Sequence, residues 1–362
     1  MAESTTVSGA WLPGAVGAFQ RQSARKQLII RGLITFTFAL AVIAINAGAA
    51  NTHPVQVLRA LLGLESGTSS IVIWNIRLPR VIAGIVAGAG LGVAGCVMQT
   101  SLRNPLASPS TLGISNAAAF GANLAIVFLG AGSIHSTSHD AVFIANPYLV
   151  TVSAFVFSIL AMTLILLLAR LRGFSPESVV LAGVAFGSLF SAASALIQYF
   201  AEDVQVAAMV FWTFGDLGHV AWQEVGILSA VTAGAFVYFQ FHRWDYNALD
   251  SGEDAAKSLG VHVEQIRFGA MFAASLVTAV AVSFMGIIGF IGLVAPQMMR
   301  RVLGIDHRFL IPASAASGAA LLLFSDTLAR TIISPVILPV GAITSFFGAP
   351  LFLFLLAKGY TR

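Results

Sequence analysis

Ten long apolar runs, near residues 28 to 48, 80 to 101, 111 to 130, 148 to 169, 178 to 200, 225 to 241, 266 to 284, 287 to 299, 309 to 325 and 340 to 357, constrain this chain more than any other feature. A helix needs ~20 apolar residues to cross a bilayer, because every backbone polar group must be satisfied inside the hydrocarbon. Most of the runs meet that length; the eighth is short for a span. Charged residues make up 9% of the chain and hydrophobic ones 57%, whereas soluble domains carry roughly a quarter charged residues. The fold class that follows is all-α, a polytopic membrane protein of about ten transmembrane helices. Residues 201 to 224 read as an interfacial helix followed by a loop.

The N-terminal run follows Arg21, Arg25, Lys26 and Arg31 and ends near Gly48 without a small-residue cleavage motif, so it reads as a retained first span. Placing that N-terminus in the cytoplasm leaves only Arg59, Arg77, Arg80 and Arg330 of the nineteen Lys and Arg residues outside. The external stretches 131 to 147 and 201 to 224 then contain neither Lys nor Arg, while holding Asp140, Glu202, Asp203, Asp216 and Glu224. This is the positive-inside bias.

One stretch between the sixth and seventh runs is different in kind. It gathers Arg243, Asp245, Asp250, Glu253, Asp254, Lys257, Glu264 and Arg267, and it must lie in water on the cytoplasmic side. Within it, residues 251 to 260 read as one short helix: Ser251 caps it, Glu253 and Asp254 suit its positive end, Lys257 suits the other, and Gly260 stops it. A solvated helix lodged between spans is most simply explained as a docking surface for another protein.

Gly84, Gly88 and Gly92 in the second run, and Gly183, Gly187, Ser191 and Ala195 in the fifth, are small residues four apart that let helix backbones approach closely. The fifth run also carries Ser188, Ser194 and Gln198. Polar groups of this kind within a bilayer face a cavity or another helix. Arg77 and Arg80, one turn apart and joined by Arg330 from another external loop, favour a carboxylate-binding patch over snorkelling to lipid phosphate. Asn104-Pro105 breaks the second helix at its inner end.

Several function classes are disfavoured. No G-x-x-x-x-G-K-[ST] occurs, so a separate subunit must bind ATP if ATP drives the protein. An ion-coupled secondary transporter would bury carboxylates near the midplane, whereas here the acidic residues fall in or beside loops, with Glu177 and Asp326 at helix ends. His135, His139 and Asp140 cluster in a Ser/Thr-rich loop that explains them better than a metal site does. The single cysteine, Cys96, lies in an apolar helix and excludes an intrachain disulfide.

The motifs R-L-P-R at 77 to 80, Q-T-S-L-R-N-P-L-A-S-P at 99 to 109, L-A-G-V-A at 181 to 185, G-E-D-A-A-K-S-L-G at 252 to 260, G-I-I-G-F-I-G-L-V-A-P at 286 to 296 and G-A-P-L-F-L-F-L-L at 348 to 356 stand in one order. With them the chain resembles the FecCD-type permeases, membrane subunits of ATP-driven importers for iron-siderophore complexes, haem and cobalamin. Met298-Met299 departs from that pattern, and residues 1 to 27 form an extension before a permease domain at 28 to 362. The resemblance implies a type II ABC importer permease fold in the inner (plasma) membrane, with no catalytic residues, cofactor or metal of its own. It implies two copies of an ATP-binding subunit, an extracellular or periplasmic substrate-binding protein and a second permease copy as partners, with no nucleic acid.

The resemblance also implies residue roles. Gly252, Glu253, Ala256, Leu259 and Gly260 match the helix that couples to the ATPase. Arg77, Arg80 and Arg330 match external arginines that pair with glutamates of the binding protein. Asn104 and Leu106 match an inner gating loop, and Ser175 to Ser178 a second one before the fifth helix. Gln99, Ser188, Ser191 and Gln198 would line the pathway at the two-fold axis. The expected cargo is an iron chelate, ferric siderophore or haem; cobalamin and an oxyanion such as molybdate are the alternatives, and an ion-coupled secondary transporter is the different class.

Overall fold

A computed structural model describes residues 12–47, 54–64, 67–130, 146–334 and 336–357. All regular secondary structure among them is helical. The first part of the chain forms α1 (Leu12–Asn46), two short helices α2 (Pro54–Leu61) and α3 (Thr68–Val72), and a π-helical turn, Ile73–Arg77, that leads without a break into α4 (Leu78–Ser101). Then come α5 (Ile114–Phe128), α6 (Pro147–Leu171), α7 (Pro176–Phe200), α8 (Asp203–Thr213) and α9 (Trp222–Phe241). Two short helices follow, α10 (Arg243–Asp250) and α11 (Glu253–Ser258). The last part forms α12 (Val263–Met285), α13 (Ile291–Leu303), α14 (His307–Thr331) and α15 (Val340–Ala357).

Each apolar run of the sequence falls on one of these helices. Among the described residues, seven helical stretches are long and apolar enough to cross a membrane, while Ile114–Phe128 and Val340–Leu355 are apolar but shorter. The eighth run becomes α13, only 13 residues long. Helix α1 runs from Leu12 to Asn46 and passes through residue 27 unbroken, so residues 12–27 continue the first span's helix.

Local chemistry sets the helix ends. Pro147 and Pro176 occupy first helical positions, where a missing N–H costs nothing. The side chains of Asn146, Ser175 and Asp306 cap α6, α7 and α14 by accepting from the amides of Leu149, Ser178 and Arg308. Between α12 and α13 the helical path breaks at Gly286 and resumes after Phe290, both at positive φ. The end of α12 and the start of α15 are both stitched to the turn after α8: the amide of Asp216 donates to the Met285 carbonyl at 2.9 Å, and those of Val340 and Gly341 donate to the Gly215 and Phe214 carbonyls.

Helix α4 is the hub, packed by α14, α12, α13 and α9. Its glycines explain how. A Cβ on Gly88 would strike the Gly318 carbonyl and lie 2.9 Å from the Ala319 Cα, one on Gly92 would strike the Ser314 carbonyl, and one on Gly95 the Gly292 carbonyl. Backbone therefore packs on backbone along α4 and α14, which is how helices gain dispersion contact where lipid offers no hydrophobic drive. The glycines of the other set, on α7, also allow a close approach, here within the chain. Gly183 and Gly187 pack against Leu112 and Gly113 at the start of α5, the Gly113 to Gly187 approach being possible only without side chains.

Candidate functional site

The water-facing stretch folds as two short helices bent against the end of the bundle. Helix α10 buries Tyr246, Ala248 and Leu249. Helix α11 has six residues. Ser251 is not its cap: its hydroxyl donates back to the Asn247 carbonyl, 3.3 Å away, and it closes α10 instead. Gly252, at φ 124°, takes the N-terminal position of α11, and Gly260, at φ 84°, ends it. Glu253 and Asp254 do occupy the first turn, where the helix dipole favours them. Ala256 is fully buried and pins the helix to the core, whereas Leu259 is 71% exposed. A partner resting on α11 would meet Leu259.

Glu253 is held on two sides, by the Lys257 ammonium at 3.0 Å and by the Arg267 guanidinium at 2.8 Å. The hydrogen bond from Lys257 and then that from Arg267 hold its carboxyl below the usual glutamate value, against an opposing effect of burial. Arg267 itself is 2% exposed and lies one turn into α12. Its Nε donates to the Ser101 carbonyl at the end of α4, at 3.0 Å, and its Nη1 to the Phe174 carbonyl just before α7, at 3.4 Å. Phe174 adopts φ 52°, a left-handed geometry costly for an aromatic residue. Sequence reasoning does not single out Arg267, although it belongs to the same charged stretch as Glu253.

The two predicted gating loops flank this arginine. Asn104 accepts the Leu106 amide at 2.9 Å, a two-residue turn that leaves Leu106 49% exposed. Ser175 caps α7, and the Ser178 hydroxyl donates back to the Ser175 carbonyl at 2.8 Å. Gln99 is 3% exposed and is held between α4 and α13, donating to the Leu293 carbonyl and accepting from Gln297 Nε2 at 2.9 Å. The same Gln297 nitrogen reaches the Pro105 carbonyl at 3.3 Å, so the Gln99–Gln297 pair braces the first loop. Gln99, expected to line a pathway, is thus buried between two helices of this chain. Ser188 and Ser191 are exposed on the outer face of α7 and Gln198 is half-buried there.

Beside α11 a buried polar network joins four helices. Thr100 accepts from Arg300 Nη2 at 2.6 Å and meets His307 Nε2 at 2.9 Å. His307 Nδ1 and its own amide both reach Asn247 Oδ1, at 3.0 and 2.8 Å. Because that oxygen can only accept, the proton sits on Nδ1 and the Thr100 hydroxyl donates to Nε2. Asp250 approaches Arg300 at 3.7 Å, and burial pushes its carboxyl above the usual aspartate value despite Arg300 and Arg103.

At the opposite end stand the three predicted docking arginines, and they are not presented to solvent. Arg77, Arg80 and Arg330 are 5%, 5% and 8% exposed. Arg80 donates twice to Asp326 Oδ1, at 2.9 and 2.8 Å, and also reaches Asp216 at 3.2 Å. Arg330 pairs with Asp326 at 3.1 Å and donates to the Ala47 and Ala44 carbonyls. Arg77 donates to the Ile45 carbonyl at 2.8 Å. Asp326, expected at a helix end, lies inside α14 five residues before its last residue and is fully buried. The carboxylate that the sequence assigned to another protein is supplied by this chain, since a buried cation needs a partner wherever it lies.

Among the described residues no group of three His, Cys, Asp or Glu side chains is placed to hold a metal ion. His135, His139 and Asp140 lie outside the described residues.

Residues 34–358 match the model of the FecCD transport family. The chain is 53% identical, over 93% of its length and 97% of the relative's, to a candidate ABC transporter permease of Methanocaldococcus jannaschii. It is 35% identical to the hemin transport system permease protein of Yersinia pestis, over 91% of this chain and 96% of that one. To the vitamin B12 import system permease protein of Salmonella arizonae it is 36% identical, over 81% and 85%. A solved structure of a candidate metal-chelate type ABC transporter, in an inward-facing conformation, matches with a TM-score of 0.77 at 29% identity, covering 92% of this chain and 99% of that one.

Proposed function

Because the chain belongs to the FecCD transport family, we propose that it is the membrane permease of an ATP-driven importer whose cargo is an iron chelate, a ferric siderophore or haem. The observation that carries the reading is α11, a surface helix with an exposed Leu259 and with Glu253 tied by Arg267 to the ends of two spans. A partner that pushes on such a helix moves the bundle. In this reading the partner is an ATP-binding subunit, present twice, and α11 faces the cytoplasm together with the N-terminus, in the inner (plasma) membrane. A second permease copy completes the pathway across the outer face of α7. A substrate-binding protein meets the far end, where Arg77, Arg80 and Arg330 hold the helices in the arrangement it recognises.

Iron chelates lead because relatives named for hemin and for Fe(3+)-citrate transport match over more than nine-tenths of this chain. Relatives named for cobalamin import match over about four-fifths, which makes cobalamin the second reading. The test is uptake into proteoliposomes holding the permease, its ATPase and its binding protein, with radiolabelled ferric siderophore, haem, cobalamin and molybdate offered separately. ATP-dependent accumulation of an iron chelate is the expected result. Accumulation of cobalamin or molybdate alone would replace the substrate, and uptake driven by a proton gradient without ATP would overturn the importer itself.

A further inference from the structure

One guanidinium touches all three elements that a coupled importer must move together. Arg267 reaches α11 through Glu253 at 2.8 Å, the end of α4 through the Ser101 carbonyl at 3.0 Å, and the segment before α7 through the Phe174 carbonyl at 3.4 Å. Ser101 and Phe174 are the residues from which the two predicted gating loops depart, toward Asn104 and Leu106 on one side and Ser175 and Ser178 on the other. The arginine is 2% exposed and its two bonds to backbone carbonyls are buried, so those two are not in competition with bulk water, and the planar fork fixes three directions at once.

The neighbouring polar groups serve narrower ends. Lys257, the other cation on Glu253, is 58% exposed at its side chain and forms an (i,i+4) pair within α11. Gln297 braces the first loop, through Gln99 and the Pro105 carbonyl. Asp250, Arg300 and His307 join the ends of α10, α13, α14 and α4 to one another. Arg103, which follows Ser101 by two residues, stands at φ 46° where the chain turns away from α4. The helix end is thus followed directly by a sharply turned backbone, so a small displacement of the Ser101 carbonyl is passed to the loop.

We propose that Arg267 is the positioning residue that transmits movement of α11 to both gating loops at once, so that they open and close together. The proposal rests on the importer reading above. When α11 is displaced by its partner, Glu253 carries the guanidinium with it, and the guanidinium pulls on two backbone carbonyls rather than on flexible side chains. A lysine at the same place keeps the charge and one hydrogen bond but cannot span three acceptors.

The test uses the whole complex in proteoliposomes and reads substrate moved per ATP hydrolysed, with subunit assembly followed by native mass spectrometry. Arg267→Lys is expected to lower that ratio by about tenfold, the scale of one lost charge-assisted hydrogen bond, while ATP is still consumed. Glu253→Ala, at a partly exposed site, should lower the ratio in the same direction. The exchange Glu253→Arg with Arg267→Glu restores the ion pair but turns a carboxylate toward the Ser101 and Phe174 carbonyls, and it should not recover coupling. Wild-type ratios in Arg267→Lys, or in Glu253→Ala should the lysine variant fail to assemble, would overturn the proposal, as would full recovery in the exchanged pair. Failure of the wild-type complex to use ATP would instead remove the importer reading, so the two are told apart.

Discussion

Arg80 and Asp326 stand 246 positions apart in the chain and meet through two hydrogen bonds, of 2.9 and 2.8 Å, from one guanidinium to one carboxylate oxygen. Arg330, one turn on from Asp326, takes its other oxygen at 3.1 Å. Two cations thus share one buried anion at the end of the bundle away from α11, with Asp216 adding a second carboxylate at the rim. Removing one partner of a buried pair leaves an uncompensated charge, at about 3–5 kcal/mol. Asp326→Ala is therefore expected to lower thermal stability in detergent by several degrees. Replacing Arg80 and Asp326 together by Met and Leu should recover only part of the loss, because Arg330 is left without its anion, and a double variant no more stable than the single one would show that the pair does not act as a unit.

The α4 to α14 seam makes a sharper prediction. Gly88 and Gly318 have no room for a Cβ, each facing the other's carbonyl, whereas Gly226 and Gly234 have nothing within 4 Å. Gly88→Val should prevent accumulation of folded protein in membranes, because the clash is with backbone that cannot rotate away. Gly234→Ala should leave folding and yield as they are. Size-exclusion profiles of the two variants in mild detergent separate these outcomes.

The acid dependence follows from Glu253. Lys257 first, and then Arg267, depress its carboxyl pKa in the folded chain. A depressed folded pKa contributes stability that is present above the unfolded value and is lost as pH falls through the folded one. With an ordinary glutamate near about 4.3, the difference in melting temperature between wild type and Glu253→Gln should be fully developed above about pH 5 and vanish in more acidic solution. Equal differences at neutral and acid pH would mean that the charge of Glu253 contributes nothing. The carboxyl is partly exposed, so the effect is that of a screened pair and small.

The outer face of α7 tests the second copy. Gly183 and Gly187 are used inside the chain, against Leu112 and Gly113, so enlarging them should damage the fold of the chain itself. Ser188, Ser191, Ala192 and Ala195 are exposed. Ser188→Trp with Ala192→Trp should leave a folded single permease that no longer pairs, read by native mass spectrometry of the purified complex. Retention of two copies in that variant would move the interface elsewhere.

Much of the architecture is legible in the order of residues alone. The apolar runs mark the helices because the hydrocarbon demands both length and internal hydrogen bonding, and both are properties of consecutive residues. The stop at Gly260, the start of α7 beside Ser175 and the break at Asn104-Pro105 are likewise local, and Glu253 stands out within its charged stretch. Ser251 misleads for a local reason too: two residue types able to begin a helix stand side by side, and the backbone at Gly252 settles which one does.

What the chain alone determined, then, is what depends on neighbours in sequence: an all-helical membrane protein, its polar stretch between the sixth and seventh apolar runs, and the motifs that place it in its family. Tertiary structure decided the partners. Arginine is always charged and must find an anion or carbonyls wherever it is buried, and its sequence position does not say which. Arg77, Arg80 and Arg330 read as docking groups along the chain because Asp326 and the carbonyls of Ala44, Ile45 and Ala47 come to them only when α1, α4 and α14 pack. Arg267 looks like one charge among eight until packing brings Ser101 to it from 166 positions away and Phe174 from 93.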